Sequence, residues 1–204
     1  MIGVGAALRG ARKELNDKSA PLAGLTAVFI FAVQMLNFPV GAGTSGHLLG
    51  GALAAVLVGP WAATLALTVV LLMQAFLFAD GGLSAIGLNV FNMAIIGVWV
   101  GYGVYLIVKR LLPKRRASIA LAGAIGGFIS VPAAAFGFVV QYALGGNATF
   151  SLTSVLTAMI GTHIVIGIGE ALITGLTISA IMASRSDLVY GWKKNETKLV
   201  IKEI

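Results

Sequence analysis

The 204-residue chain contains no cysteine, only two histidines and only seven acidic residues. Without cysteine there is no disulfide and no thiolate metal site. Charge is scarce too: Asp, Glu, Lys and Arg make up 10% of the chain, against about 25% in an ordinary soluble domain. The scarcity is patterned. Between Lys18 and Lys109 the one charged residue is Asp80, and between Arg116 and Arg185 it is Glu170. Uncharged blocks of this length exclude a soluble globular domain and predict several transmembrane helices. A phosphate-loop or other nucleotide motif is missing, so the chain is not expected to hydrolyse ATP itself. The first apolar run, Ile2 to Leu8, is too short and lacks the cationic start of a cleavable signal peptide.

What is present is apolar and basic: 58% hydrophobic residues, a mean hydropathy of +0.98 and a net charge of +7. All 14 Lys and Arg fall into three groups: Arg9, Arg12, Lys13 and Lys18; Lys109, Arg110, Lys114, Arg115 and Arg116; and Arg185, Lys193, Lys194, Lys198 and Lys202. Each group flanks an apolar span, so membrane topology explains the charge and nucleic acid is not an expected partner. The positive-inside rule places segments 9–18, 109–116 and 184–204 in the cytoplasm.

A span needs roughly 20 residues. The candidates are Ala20–Leu36, Ala85–Val108, Ala117–Leu144 and Leu152–Ala183. The block His47–Ala79 is too long for one span and contains Gly59-Pro60-Trp61, a natural break. Splitting it into helices over 47–58 and 60–79 gives the even number of passes that the charge groups require. Loops 37–46, 80–84 and 145–151 then face outside, and the Gly59-Pro60 turn faces inside. The expectation is an all-α, polytopic integral membrane protein of the cell (inner) membrane with about six transmembrane helices. Residues 1–204 form one domain: 1–19 a helix remnant and cytoplasmic basic segment, 20–183 the membrane core, 184–204 a cytoplasmic tail. Helix 47–58 is anomalous, because it extends only about 18 Å against a hydrocarbon core of roughly 30 Å. The loop before it must dip into the membrane, and short, Gly/Pro-interrupted segments are where transporter binding sites are found.

The polar residues in these spans are few. His47 is expected at the head of the short helix, with Thr44 or Ser45 as its cap. It reads either as a metal ligand or as a histidine satisfied by loop carbonyls. His163 and Glu170, seven residues apart in "GTHIVIGIGEALITG", share a helix face two turns apart. His163 is expected near mid-membrane, within a hydrogen-bond network or lining a pocket or ion path. Glu170 is expected toward the cytoplasmic side, pairing with a neighbouring helix or a partner protein. Asn37, Asn89 and Asn92 read as interhelical packing or as pocket lining around a ligand. Gly97-x-x-x-Gly101 and Gly123-x-x-x-Gly127 favour close helix approach, and Ala7-x-x-x-Ala11 reads as packing or as a contact for another subunit. Gly43-Thr44-Ser45-Gly46 also admits an enzymatic reading, an intramembrane serine protease with Ser45 as nucleophile and His163 as base.

Three stretches carry a family resemblance: "PLAGLTAVFIFAVQMLNFPVGAGTSGHLLGGALAAVLVGPWAATL", "DGGLSAIGLNVFNMAIIGVWVGY" and "THIVIGIGEALIT". In this order they resemble the CbiM/NikM substrate-binding (S) component of energy-coupling factor (ECF) transporters for cobalt and nickel, from about Pro21 to Ala183. The resemblance implies a subunit that captures Co2+ or Ni2+ from outside and needs no resident cofactor. Its implied partners are a membrane coupling (T) subunit, two cytoplasmic ATPase subunits and, often, a small accessory membrane subunit. It also implies an ion held by the free N-terminal amine, the amide and imidazole of a histidine at the second position, and a histidine in the "SGH" segment. Four nitrogens in a plane suit Ni(II), and Co(II) can use them. The matching ligand here is His47. The second position is Ile2, where the family begins Met-His-Ile-Pro and crosses the membrane once before the basic segment. The other ligands are therefore absent from this chain, and the expectation is a start placed about one transmembrane helix too late. An S component for another ligand is the alternative within the class.

Overall fold

The computed structural model describes residues 2–17, 19–41, 44–146 and 150–192. Lys18 and the tail cations Lys193, Lys194, Lys198 and Lys202 lie outside the described residues. In chain order the elements are α1 (Ile2–Glu14), α2 (Ser19–Gln34), the antiparallel pair β1 (Asn37–Gly41) and β2 (Thr44–His47), α3 (Gly51–Val58) and α4 (Pro60–Leu77). A continuous helical run follows: a 3-10 turn (Leu83–Ala85), α5 (Ile86–Asn89), a π-helical stretch (Val90–Gly97) and α6 (Val98–Leu111). Helices α7 (Arg116–Gly145) and α8 (Leu152–Ser184) form a long neighbouring pair.

Four of these helices are long and apolar enough to cross a membrane: Pro60–Leu77, Leu83–Leu111, Arg116–Gly145 and Leu152–Ser184. Of the six spans expected, α2 is a shorter apolar helix of 16 residues and α3 has only eight. The predicted break is where the sequence places it. Gly59, at φ +90°, ends α3, and Pro60 opens α4, where its missing N–H has no helical partner to lose. The polar start of α2 is fixed by reciprocal bonds: the Asn16 N–H donates to Ser19 Oγ (2.8 Å) and the Ser19 N–H to Asn16 Oδ1 (3.0 Å).

All eight residues of α3 are buried. A helix apolar on every side belongs in the middle of a bundle, and α3 packs among α2, α4, α6 and α7. Its side chains make up much of the main core, with Ile30, Leu67, Val98, Tyr105 and Ile178 around it. Small residues let the backbones close in. A Cβ on Gly126 of α7 would lie 2.5 Å from the Gly101 carbonyl oxygen of α6, and a Cβ on Gly101 would meet Ala52 of α3 at 2.9 Å.

The N-terminal segment is longer than a two-turn remnant: α1 is a 13-residue helix packed on α4. Ala7 and Ala11 are 0% and 1% exposed, so their face is used inside this chain and not as a contact for another subunit. Glu14 at its end accepts from the Ala62 N–H through Oε2 (2.8 Å), supplying an acceptor to the first turn of α4.

Candidate metal centre

His47 does not head a helix. The helix expected over 47–58 begins at Gly51, and its N-cap is Gly50 (φ +72°), not a residue of the 44–45 pair. Strands β1 and β2 instead pair as the arms of a hairpin, in which Asn37 lies opposite His47, Phe38 opposite Gly46 and Pro39 opposite Ser45. An apolar Pro- and Gly-rich stretch cannot leave its amides unpaired at membrane depth, and pairing them across a hairpin is the alternative to a helix.

The hairpin and the turn after it are tied down from three sides. The Asn37 amide donates to Asp80 Oδ2 (3.1 Å), in the loop that follows α4. Gln34 Nε2 donates to the Leu49 carbonyl (2.7 Å), and Gln34 Oε1 accepts from Gln74 Nε2 (3.0 Å). Glu170 of α8 accepts from the Leu49 N–H (2.9 Å) and the Gly50 N–H (2.8 Å). Glu170 is 2% exposed. It therefore does not face a partner protein. Its carboxylate sits at the N-terminal approach to α3, where backbone N–H groups and the helix dipole favour negative charge.

Together these elements bound a cavity of about 380 Å³. His47, His163, Asp80, Ser45, Asn89 and Asn92 all line it. Asn37 borders it indirectly, through Asp80. His163, one turn after Met159 on α8, contributes from that helix; it is 8% exposed. Asn89 donates to the Gly81 carbonyl (2.8 Å) and so fixes the loop that carries Asp80. Asn92, in the π-helical stretch, makes a two-way amide pair with Gln141 of α7: Nδ2 to Oε1 at 2.8 Å and Nε2 to Oδ1 at 2.9 Å. Widened π turns inside α-helices are frequent at functional sites.

The two histidines are held alike. His47 Nδ1 lies 2.7 Å from the Leu48 carbonyl oxygen, and His163 Nδ1 lies 2.7 Å from the Met159 carbonyl oxygen. A carbonyl only accepts, so each Nδ1 carries the proton and each Nε2 keeps a lone pair. A backbone acceptor behind the ring is the usual orienting partner of a metal-ligating imidazole. Gly46 is fitted to His163: a Cβ there would stand 2.9 Å from His163 Nε2 and 3.0 Å from Ile166 Cδ1. Among the described residues no three His, Asp or Glu side chains are grouped closely enough to complete a metal site.

Asp80 is the cavity residue that sequence reasoning missed. Its signal was visible, since it is the lone charge in a ninety-residue stretch beside Gly81-Gly82. Among the described residues Ser45 makes no hydrogen bond to His163, whose Nε2 edge lies against Gly46.

The family model described as the cobalt uptake substrate-specific transmembrane region matches residues 1–188. The cobalt transport protein CbiM of Sorangium cellulosum is 34% identical over 87% of this chain and 80% of its own length. The fused nickel transport protein NikMN of Rhodobacter capsulatus is 35% identical over 89% of this chain, which spans 56% of that longer protein. Among solved structures, a truncated transition metal transporter superposes with a TM-score of 0.81 at 35% identity, covering 90% of this chain and 89% of its own. A further transition metal transporter gives 0.79 at 35% identity, over 89% and 83%. With its long apolar helices, the chain is a multi-pass membrane protein and belongs to the CbiM family, the substrate-specific transmembrane region of cobalt uptake.

Proposed function

We propose that this chain is the substrate-binding subunit of an ECF-type importer, capturing Co2+ or Ni2+ from the outer side of the cell membrane. The observation that carries the reading is the pair of Nδ1-protonated imidazoles, His47 and His163, lining one cavity with Asp80. Neutral imidazole nitrogens suit both ions, and their similar ligand preferences leave the choice between them open to either. His47 is the ligand, His163, Asp80, Ser45, Asn89 and Asn92 form the wall around it, and Asn37 supports that wall through Asp80. A carboxylate in a low-dielectric cavity also attracts a divalent cation more strongly than it would in water.

In this reading basic segments 9–18, 109–116 and 184–204 face the cytoplasm. A membrane coupling subunit and two ATPase subunits supply the energy, with a small accessory membrane subunit where the system has one. The single domain spans residues 1–204. The names and solved neighbours of the relatives, all transport proteins, support the class. The test is uptake of radioactive cobalt and nickel by cells carrying the complete transport system. His47→Ala should reduce uptake to background while leaving the protein in the membrane; uptake at the wild-type rate would end the assignment.

A further inference from the structure

A second, larger cavity of about 690 Å³ lies at the opposite end of the helices from the histidines. Lys109 and Arg110 close α6, Lys114 and Arg116 open α7, and all four side chains line it together with Ser118 and Trp192. Among the described residues none of its lining is acidic. Among the described residues none of the four cations makes an ion pair; the salt bridge present is Arg185–Asp187, elsewhere on the surface. Lys109 Nζ instead rests 5.2 Å from the centre of the Tyr105 ring. Four like charges converging on one cavity repel one another, and a bound anion relieves that repulsion. The first turn of α7, which takes no side-chain cap from Arg115, lies at the same edge, where the helix dipole favours an anion.

The cavity is also at the right height and of the right polarity for one kind of anion. It sits where the spans Leu83–Leu111 and Arg116–Gly145 end. Beside it Leu111 is 79% exposed and Ile107 58% exposed, as lipid-facing residues are. Leu106, Pro113, Ile119 and Trp192 give it an apolar wall. A free phosphate has no use for that wall, whereas an amphiphile does. We propose that this cavity binds the phosphate headgroup of an anionic phospholipid, with the glycerol end of its chains against the apolar wall. None of its residues lines the histidine cavity, so the proposal stands or falls apart from metal binding.

The test is native mass spectrometry of the full chain in detergent, titrated with phosphatidylglycerol, with phosphatidylcholine or with inorganic phosphate. Each cation near a headgroup favours the anionic lipid severalfold, so the wild type should prefer phosphatidylglycerol by about tenfold or more. Arg110→Gln/Lys114→Gln/Arg116→Gln should lose most of that preference. Arg9→Gln/Arg12→Gln/Lys13→Gln, which removes equal charge at the same end of the molecule, should keep it, as should the charge-conserving Arg110→Lys/Arg116→Lys. Equal binding of the two lipids, an unchanged triple variant, or equal loss in the Arg9 set would each overturn the site. Complete displacement of the lipid by millimolar inorganic phosphate would assign the cavity to a soluble ligand instead. If the triple variant is not monodisperse, Lys114→Gln alone decides by the same lipid ratio.

Discussion

Glu170 and Gly50, 120 positions apart in the chain, are joined by a 2.8 Å bond from the Gly50 N–H to the Glu170 carboxylate. The other carboxylate oxygen takes the Leu49 N–H at 2.9 Å. One side chain of α8 thus holds the segment between the His47 hairpin and α3. Glu170→Ala would leave two buried N–H groups without acceptors, at a cost of about 3 kcal/mol. Glu170→Gln would restore one acceptor and set an amide NH2 against the other donor, so it should lie between. Thermal melting of the purified protein orders the three. Identical melting for wild type and Glu170→Ala would show that the clasp contributes nothing.

The contact between Gly46 and His163 makes a sharper prediction. A Cβ at position 46 must push the His163 ring, or Ile166, by several tenths of an ångström. Gly46→Ala should therefore weaken nickel or cobalt binding by about tenfold, the lower end for disturbing a residue behind a metal ligand. In a His163→Ala background the same change should cost little, because the ring it collides with is gone. Isothermal titration on the four proteins completes the cycle, and additive losses would mean that Gly46 acts by another route.

Stability should respond to pH through Glu14. Burial raises its pKa above the ordinary carboxylate value, with the Ala62 and Trp61 N–H groups partly opposing the shift. A folded-state pKa above the unfolded one means that protonation favours the fold. The contribution is fully present below pH 4.5 or so and is lost as pH rises through the raised folded value. Glu14→Gln, which mimics the protonated form, should melt close to wild type in acid and gain on it at neutral pH. A difference that stays constant across the range would refute the assignment.

Ser45 lines the cavity without bonding to His163. Ser45→Ala should leave metal uptake within about twofold of wild type, the effect of a surface substitution away from buried partners. Loss of a proteolytic activity in that variant, with metal uptake untouched, would instead favour the serine-protease reading of Gly43-Thr44-Ser45-Gly46.

Helix boundaries and the site were unequally legible. The uncharged blocks, the break at Gly59-Pro60 and the short helix after His47 follow from composition and proline chemistry, and the structure has all three. The hairpin does not follow. Its strands are five and four residues long, carry Pro39 and several glycines, and show no alternation of apolar and polar residues. It is tied down by Asn37 reaching Asp80, a contact 43 positions away. The π-helical stretch has no local signature either. His163 and Glu170 sit on one face of α8, as their spacing implies, but only tertiary packing brings one to the His47 cavity and the other to the turn beneath it. Asp80 is conspicuous in the sequence as a lone charge, but its place in the cavity wall depends on where the loop after α4 lies.

Helix α3 sets the direction in which an ion can leave. Its eight residues, every one buried, lie beyond the turn at Leu48–Gly50 that follows the cavity. Nothing along it can replace a hydration shell, so the short helix offers an ion no path of its own. In the proposed importer, an ion that enters by the hairpin therefore finds no polar path along α3. Delivery in that reading demands that packed helices part or that the whole subunit change its tilt.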